Sequence, residues 1–480
     1  MGDILIRGGT VINADDRKQA DVLIHEGKIA QVGLRDQADR IDPVLCSEII
    51  DAAGLLVLPG AIDAHTHLEM KMGRTFSADG YESGTAAAAC GGVTTVFDYT
   101  LQENGRGMIE EIEARNRLAE GKTYVDYAFH GGISEVNERT LDEVSHMAEQ
   151  GFGSIKAYMT YDFGLDDRSL YRLLKAASAA KVLITVHAES DAMVSVNREE
   201  LIRAGRVDNV WYHYLSRPEI AEEEADIRAI LLARAAGAPI YIVHVASAEG
   251  INFIRQYREN YDPPYPIFAE TCPHYLEFSN EVYKRPDGLK FICSPPIKGE
   301  ASRKALWEGL SDGNINVIAT DHCPAQSFEK EWGRDDFTKA PNGCMGIENM
   351  YPYILDAAGK GRISYERAVE LCSSNPARIF GCDTKGFVEP GKDADIVLYD
   401  PEKHFTITAE KMHSKIDYTI YEGKELKGYP VMTMSRGRVV YRDGELVGSR
   451  GYGRLVRRGI SAAYGKIQPL ADHCALDMRL

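Results

Sequence analysis

Leu183-Ile184-Thr185-Val186-His187 is a short apolar run that closes on a histidine, and Ile240-Tyr241-Ile242-Val243-His244 repeats it further along the chain. Runs this short and this rich in β-branched residues read as strands buried on both faces rather than as helix. Val93–Asp98, Tyr124–His130, Ser154–Tyr158 and Asn316–Asp321 share that character, with helical texture between them, as in Ser169–Ala180 and Glu219–Ala236. Strands alternating with helices over about 320 residues predict a parallel sheet, and near that length an α/β fold of the TIM (β/α)8 barrel type with insertions.

Both flanks of this block change texture. Ile4–Arg7, Thr10–Ile12, Asp21–His25 and Lys28–Val32 read as strands, with Glu26-Gly27 as a hairpin turn. After Gly386 come Ala394–Tyr399, Val431–Ser435 and Arg438–Arg442, with Asp443-Gly444 as another turn. The simplest organisation is a small β-sandwich built from both termini: 1–54 its first part, 55–385 the barrel, 386–450 its second part and 451–480 a C-terminal tail. Arg450, Arg454, Arg457 and Arg458 mark that tail, which is expected either to be solvated or to pack on a neighbouring subunit.

A chain of 480 residues suits one large domain with a smaller one. Its 44% hydrophobic content supports a sizeable core, and the formal net charge of −17 argues against a nucleic-acid binder. No apolar run approaches the roughly 18 residues that a membrane span needs, so no membrane partner is expected. Met1–Gly8 lacks a signal-peptide pattern. The nine cysteines form no CxxC pair, which predicts free thiols and a cytoplasmic protein.

The chemistry-bearing residues gather at the ends of the apolar runs. In Pro59-Gly60-Ala61-Ile62-Asp63-Ala64-His65-Thr66-His67, the two histidines stand two apart, and such residues share one face of a strand. His187, His244 and Asp321 each end a run, and the C-terminal strand ends of a barrel converge on one rim. Imidazole nitrogen and carboxylate oxygen suit borderline metals such as zinc. Spacing alone leaves the ligand set open, because His130 also ends a strand and His274 and His322 fall near the same rim. Lys156 lies in Gly153-Ser154-Ile155-Lys156-Ala157-Tyr158 without another charge. Either it snorkels to water, or it is desolvated and its neutral amine can add carbon dioxide to form a metal-bridging carbamate.

The set His65-Thr66-His67, Lys156, His187, His244 and Asp321 resembles the cyclic amidohydrolases, specifically the dihydropyrimidinase and D-hydantoinase family in its phenylhydantoinase branch. Ala86–Asp98, Val186-His187-Ala188-Glu189, Glu270-Thr271-Cys272-Pro273, Ser294-Pro295-Pro296, Ala319–Cys323 and Pro341-Asn342-Gly343 extend the resemblance over nearly the whole chain. It implies hydrolysis of the cyclic amide bond of dihydropyrimidines or 5-substituted hydantoins to N-carbamoyl amino acids, with a metal-held hydroxide as nucleophile. It implies two divalent metal ions, zinc, bridged by N6-carboxylated Lys156. His65, His67 and Asp321 would hold one ion and His187 and His244 the other, which sets aside His130, His274 and His322. Tyr161 would stabilise the oxyanion, Asp321 would carry the proton, and Ser294 and Asn342 would hold the imide edge. Loops Leu68–Ala78 and Tyr158–Leu165, with Met70, Met72, Phe76, Tyr158 and Phe163, would shape the substituent pocket. A homotetramer is the implied assembly.

Dihydroorotase is the nearest rival and places an arginine two residues after the second histidine, where this chain has Glu69. A carboxylate there is expected to repel an acidic substrate. Allantoinase keeps similar ligands and stays as an alternative, and a non-catalytic scaffold of the same fold is disfavoured because every expected ligand is present.

Overall fold

A computed structural model describes residues 3–34, 46–103, 105–261 and 265–466. The N-terminal strands are β1 (Ile4–Ile12), β2 (Arg17–His25), β3 (Lys28–Leu34), β4 (Glu48–Asp51) and β5 (Leu56–Pro59). The barrel follows: β6 (Ala61–Thr66), then a small hairpin β7 (Lys71–Met72) and β8 (Thr75–Phe76) on its rim, then β9 (Val93–Tyr99) and β10 (Asp126–Gly132). It continues with β11 (Ser154–Tyr158), β12 (Leu183–His187), β13 (Ile240–Ile242), β14 (Ile267–Thr271) and β15 (Val317–Ile318). The chain ends its described strands with β16 (Ile396–Thr406), β17 (Glu425–Ser435), β18 (Arg438–Arg442) and β19 (Glu445–Leu446).

Eight parallel strands run in the order β15-β14-β13-β12-β11-β10-β9-β6. The seam between β15 and β6 is joined by a Thr66–His322 bridge and by Thr320, whose N–H donates to Asp63 at 3.0 Å. This is the TIM barrel. Its interior packs Phe97, Ala128, Leu183, Tyr241, Val317 and Ala319 against Phe380 from the far end of the chain. Helix Glu219–Ala236 has the bounds read from sequence and stops at Gly237, which takes the left-handed conformation (φ 68°) that glycine adopts without strain.

The two ends meet in a nine-stranded sheet, β19-β18-β17-β16-β5-β1-β2-β3, with β4 beside β1. Ile6, Val22, Ile24, Val57, Leu398 and Met434 share its core. Three sequence boundaries change. Ile4–Arg7 and Thr10–Ile12 are one strand carrying a register shift between Ile6 and Gly9, because Gly8 at φ 83° absorbs the extra residue. The expected barrel start at residue 55 moves past Pro59, since β5 pairs with β1 and β16. In the runs ending in His244 and Asp321 the strands close at Ile242 and Ile318, and Val243 and Ala319 each make one further backbone bond before the chain turns away at the rim.

The tail also departs from both expectations as far as it is described. Residues 451–466 pack beneath their own barrel: Tyr127 N–H donates to Arg454 O at 3.0 Å, and Val456 N–H to Tyr127 O at 2.7 Å. Arg458 is 3% exposed and lies 5.1 Å from the Phe97 ring centroid. Residues 467–480 lie outside the described residues, so an oligomer contact there stays an expectation. No helix among the described residues is long and apolar enough to cross a membrane.

Barrel and terminal sheet are joined by a buried cation. Lys385 Nζ lies 2.9 Å from Asp126 of β10, 2.6 Å from Asp395 and 3.3 Å from Asp393, all nearly inaccessible. Replacing it by Lys385→Met strands buried carboxylates, which is expected to cost about 3–5 kcal/mol. The readout is a lower midpoint in urea unfolding, and an unchanged midpoint would show that the carboxylates do not need this partner.

Candidate metal centre and cleft

Period-2 alternation brings the polar residues together. On β12, Leu183 packs inside the barrel, so Thr185 and His187 follow it up the same column. Val317 and Ala319 lead in the same way to Asp321, and Phe268 leads to Glu270. Lys156 stands in the middle of β11 and is 1% exposed. His65 arises differently. β6 carries two register shifts against β9, one between Ala61 and Ile62 and one between Asp63 and Thr66 that spans His65, and such bulges re-aim side chains at barrel rims. Asp98 at the end of β9 accepts from Leu68 N–H at 2.7 Å and Thr66 Oγ1 at 3.2 Å, clamping the chain on both sides of His67.

The result is a tight cluster. His65 Nε2 lies 3.2 Å from His67 Nε2, 3.2 Å from Asp321 Oδ1 and 3.3 Å from Lys156 Nζ, and His67 Nε2 is 3.0 Å from Asp321. His187 and His244 adjoin it, with ring centroids 4.6 Å apart and His244 5.4 Å from His65. Converging imidazole nitrogens and a carboxylate form a donor set that fits divalent metal ions. Tyr161, His244 and Asp321 all have positive φ (77°, 39° and 49°), a strained backbone that concentrates at functional sites.

Supporting contacts choose which ring nitrogen faces the cluster. His65 Nδ1 is 2.7 Å from Glu270 Oε1, which leaves Nε2 for a ligand. Glu270 also accepts from His244 N–H at 3.1 Å and from Tyr241 OH at 2.8 Å. His187 Nε2 is 2.9 Å from Glu189, itself ion-paired with Arg217, so Nδ1 is the free atom. Sequence motifs by themselves assign no role to Glu270, Glu189 or Arg217. Glu270 was within reach, because it sits near the end of an apolar run like the histidines. Arg217 was not, because its partner Glu189 is far from it in sequence.

The other rim histidines are engaged elsewhere. His130 bonds Ser154 Oγ at 2.6 Å and Ala64 O at 3.1 Å, while His322 Nε2 is 3.0 Å from Asp79 and its Nδ1 accepts from Gly346 N–H at 3.2 Å. His274 packs 4.1 Å from Tyr275, ring centroid to centroid, and does not line the cleft.

Burial sets the electrostatics. Desolvation pushes Lys156 down to about 8, against the pull of Asp321 and Glu270. It pushes Glu270 up to about 7 and Tyr161 up to about 12. For Asp321 burial also acts upward, but His65, His67 and Lys156 outweigh it and hold the carboxyl well below its usual range.

Above the cluster opens a cleft of about 640 Å³, lined by Tyr161, Ser294 and Asn342 as well as by Met70, Met72, Tyr158 and Phe163. Asn342 Nδ2 donates to Ser294 Oγ at 3.3 Å. Two expectations fail here. Phe76 is 57% exposed and is not part of the wall, because it projects from the short β8 strand on the rim. Glu69 does not line the cleft either: its chain turns at φ 55°, and its carboxylate lies beside Gly80. Repulsion of an acidic substrate by Glu69 therefore finds no support.

A family model described as the amidohydrolase family matches residues 56–440. D-phenylhydantoinase of Escherichia coli is 41% identical over 460 residues, covering 95% of this chain and 98% of that protein. The crystal structure of dihydropyrimidinase from Brevibacillus agri superposes with a TM-score of 0.91 at 37% identity, covering 96% of this chain and 99% of the other. L-hydantoinase (dihydropyrimidinase) from Arthrobacter aurescens gives a TM-score of 0.86 at 28% identity, over 95% and 100% of the two chains.

Glu270→Gln removes the charge that orients His65. It is expected to weaken divalent-metal affinity about 10–100-fold, measured as metal retained against graded chelator. Full retention would show that His65 needs no such partner.

Proposed function

This chain belongs to the amidohydrolase family, and from that premise we propose that it opens the ring of 5-substituted hydantoins or dihydropyrimidines to give N-carbamoyl amino acids. The observation that carries the reading is the convergence of His65, His67, Asp321 and Lys156 at the floor of a cleft whose wall holds Tyr161, Ser294 and Asn342. In this reading His65, His67 and Asp321 would hold one zinc ion at the floor, and His187 and His244 would hold a second. Bound divalent cations supply Lewis acidity and a water that ionises near neutral pH.

The chain's own groups do the rest. Lys156, whose neutral form is accessible with its pKa near 8, would add carbon dioxide, releasing one proton to water, and the resulting carbamate would help hold the ions. Asp321 stays ionised beside the histidines, accepts the proton of the attacking water and passes it to the leaving ring nitrogen. The Tyr161 hydroxyl stays protonated well above neutral pH and donates to the oxygen that gains charge. Backbone groups at Ser294 and Asn342 hold the imide edge. Cytoplasmic residence and a homotetramer belong to the same reading; the free thiols of Cys90, Cys272, Cys293, Cys323, Cys344, Cys372 and Cys382 support the first, and the second rests on the family resemblance of the sequence motifs.

The deciding assay compares kcat/KM for 5,6-dihydrouracil and both enantiomers of 5-phenylhydantoin with zinc-loaded protein. Turnover of any of them supports cyclic-amide hydrolysis, and turnover of allantoin alone would replace it with an allantoinase reading. Lys156→Ala is expected to lose most bound metal and activity, and full metal occupancy in that variant would remove the bridging role. Tyr161→Phe should lower kcat by about 10²–10³-fold. Reactivation of metal-free protein by zinc at a fixed concentration of dissolved carbon dioxide should quicken between about pH 6 and 8, because the neutral amine is the reacting form. A rate that falls over that range would rule out carbamate formation at Lys156.

A further inference from the structure

Charge reverses at the mouth of the cleft. The whole chain carries a formal net charge of −17, yet the charged side chains on the cleft wall above the floor are Lys71, Arg74 and Lys339. Among the described residues, Asp321 on the floor is the one carboxylate that lines it. Lys71 and Arg74 belong to the β7–β8 hairpin and its turn. The Arg74 guanidinium lies 3.8 Å from the Trp332 ring centroid, so a cation–π contact with a second wall residue holds it at the opening. No described carboxylate pairs with Lys71 or Arg74, whereas Lys339 is partly balanced by Asp336 at 3.3 Å. Half-buried Met70, Met72 and Phe163 give the same wall an apolar stretch, while Lys71 and Arg74 are exposed.

The cleft thus combines candidate metal-ligand donors at the floor, apolar side chains on the wall, and Lys71 and Arg74 at the opening without a carboxylate partner among the described residues. Resting on the cyclic-amide reading above, we propose that the cleft accepts ring substrates whose substituent is an apolar stem ending in a carboxylate, which Lys71 and Arg74 receive. A cleft of about 640 Å³ has room for a substituent as well as a ring. Glu69, turned away beside Gly80, offers no opposing charge. Both cations are exposed, so the preference is modest and sensitive to salt, and it acts on capture of the substrate more than on the chemical step.

The test uses zinc-loaded protein with 5-(2-carboxyethyl)hydantoin, its uncharged isostere 5-(2-carbamoylethyl)hydantoin, and 5-phenylhydantoin. At low salt the carboxylate should exceed the amide in kcat/KM by about 3–20-fold, and that ratio should shrink toward one in 1 M salt, where the screening length is about 3 Å. The ratio should also collapse in the Lys71→Gln/Arg74→Gln double variant. Because the readout is a ratio, any general loss from a disturbed hairpin cancels, and the salt titration needs no variant. An amide turned over as well as the carboxylate, or a preference that survives both high salt and the double variant, overturns this proposal and leaves the cyclic-amide reading intact. Absence of turnover for all three hydantoins, with dihydrouracil also inert, overturns that reading and this proposal with it.

Discussion

Strands β6 and β15 meet at the one seam of the barrel that side chains close more than ladder hydrogen bonds do. Asp63 accepts from the backbone N–H and the hydroxyl of Thr320, at 3.0 and 2.5 Å, and His67 N–H donates to His322 O at 2.9 Å. His65 and His67 come from one side of this seam and Asp321 from the other. A barrel opened here would place those three donors on opposite edges of a sheet. Burial pushes Asp63 up to about 7, and its bonds to Thr320 and His65 act against that cost. The candidate ligand cluster and the closure of the fold are therefore one local structure.

Above the seam, the cleft concentrates groups that water would otherwise keep apart. Lys156, Glu270, Glu189 and Arg217 are all buried, and each has a charged or imidazole neighbour in reach. An isolated charge at such depth would cost several kcal/mol, so the supporting carboxylates fix ring orientation and also make the buried imidazoles tolerable. The same logic recurs beneath the barrel, where Lys385 answers Asp126 and Asp395 and the described tail lays Arg458 against Phe97. One buried ionic cluster builds a site, while the other joins two sheets.

Much of this was legible in the amino-acid sequence. Apolar runs five residues long, closing on His187 or carrying Lys156 at their centre, are visible without coordinates, and so is the return of short strands after Gly386. The alternation of side chains along a strand depends only on local backbone geometry, so Leu183 buried inside the barrel already implies His187 on the same column.

His244 shows where that reasoning stops. It is out of step with Tyr241 and Val243, which pack inside the barrel, and it reaches the cluster because the chain leaves β13 at Ile242 and turns at φ 39°. His65 likewise depends on the register shifts of β6, and Glu69 on a turn that takes it away from the cleft. Arg217 meets Glu189, and the tail finds the barrel floor, across long stretches of chain. By itself the sequence determined the alternating fold, both β-rich ends and the candidate ligand types, because these follow from periodicity and residue chemistry. Tertiary structure alone decided which histidines converge, which ring nitrogen each presents and which charges ring the mouth, because those depend on barrel closure and on backbone turns that no local pattern encodes.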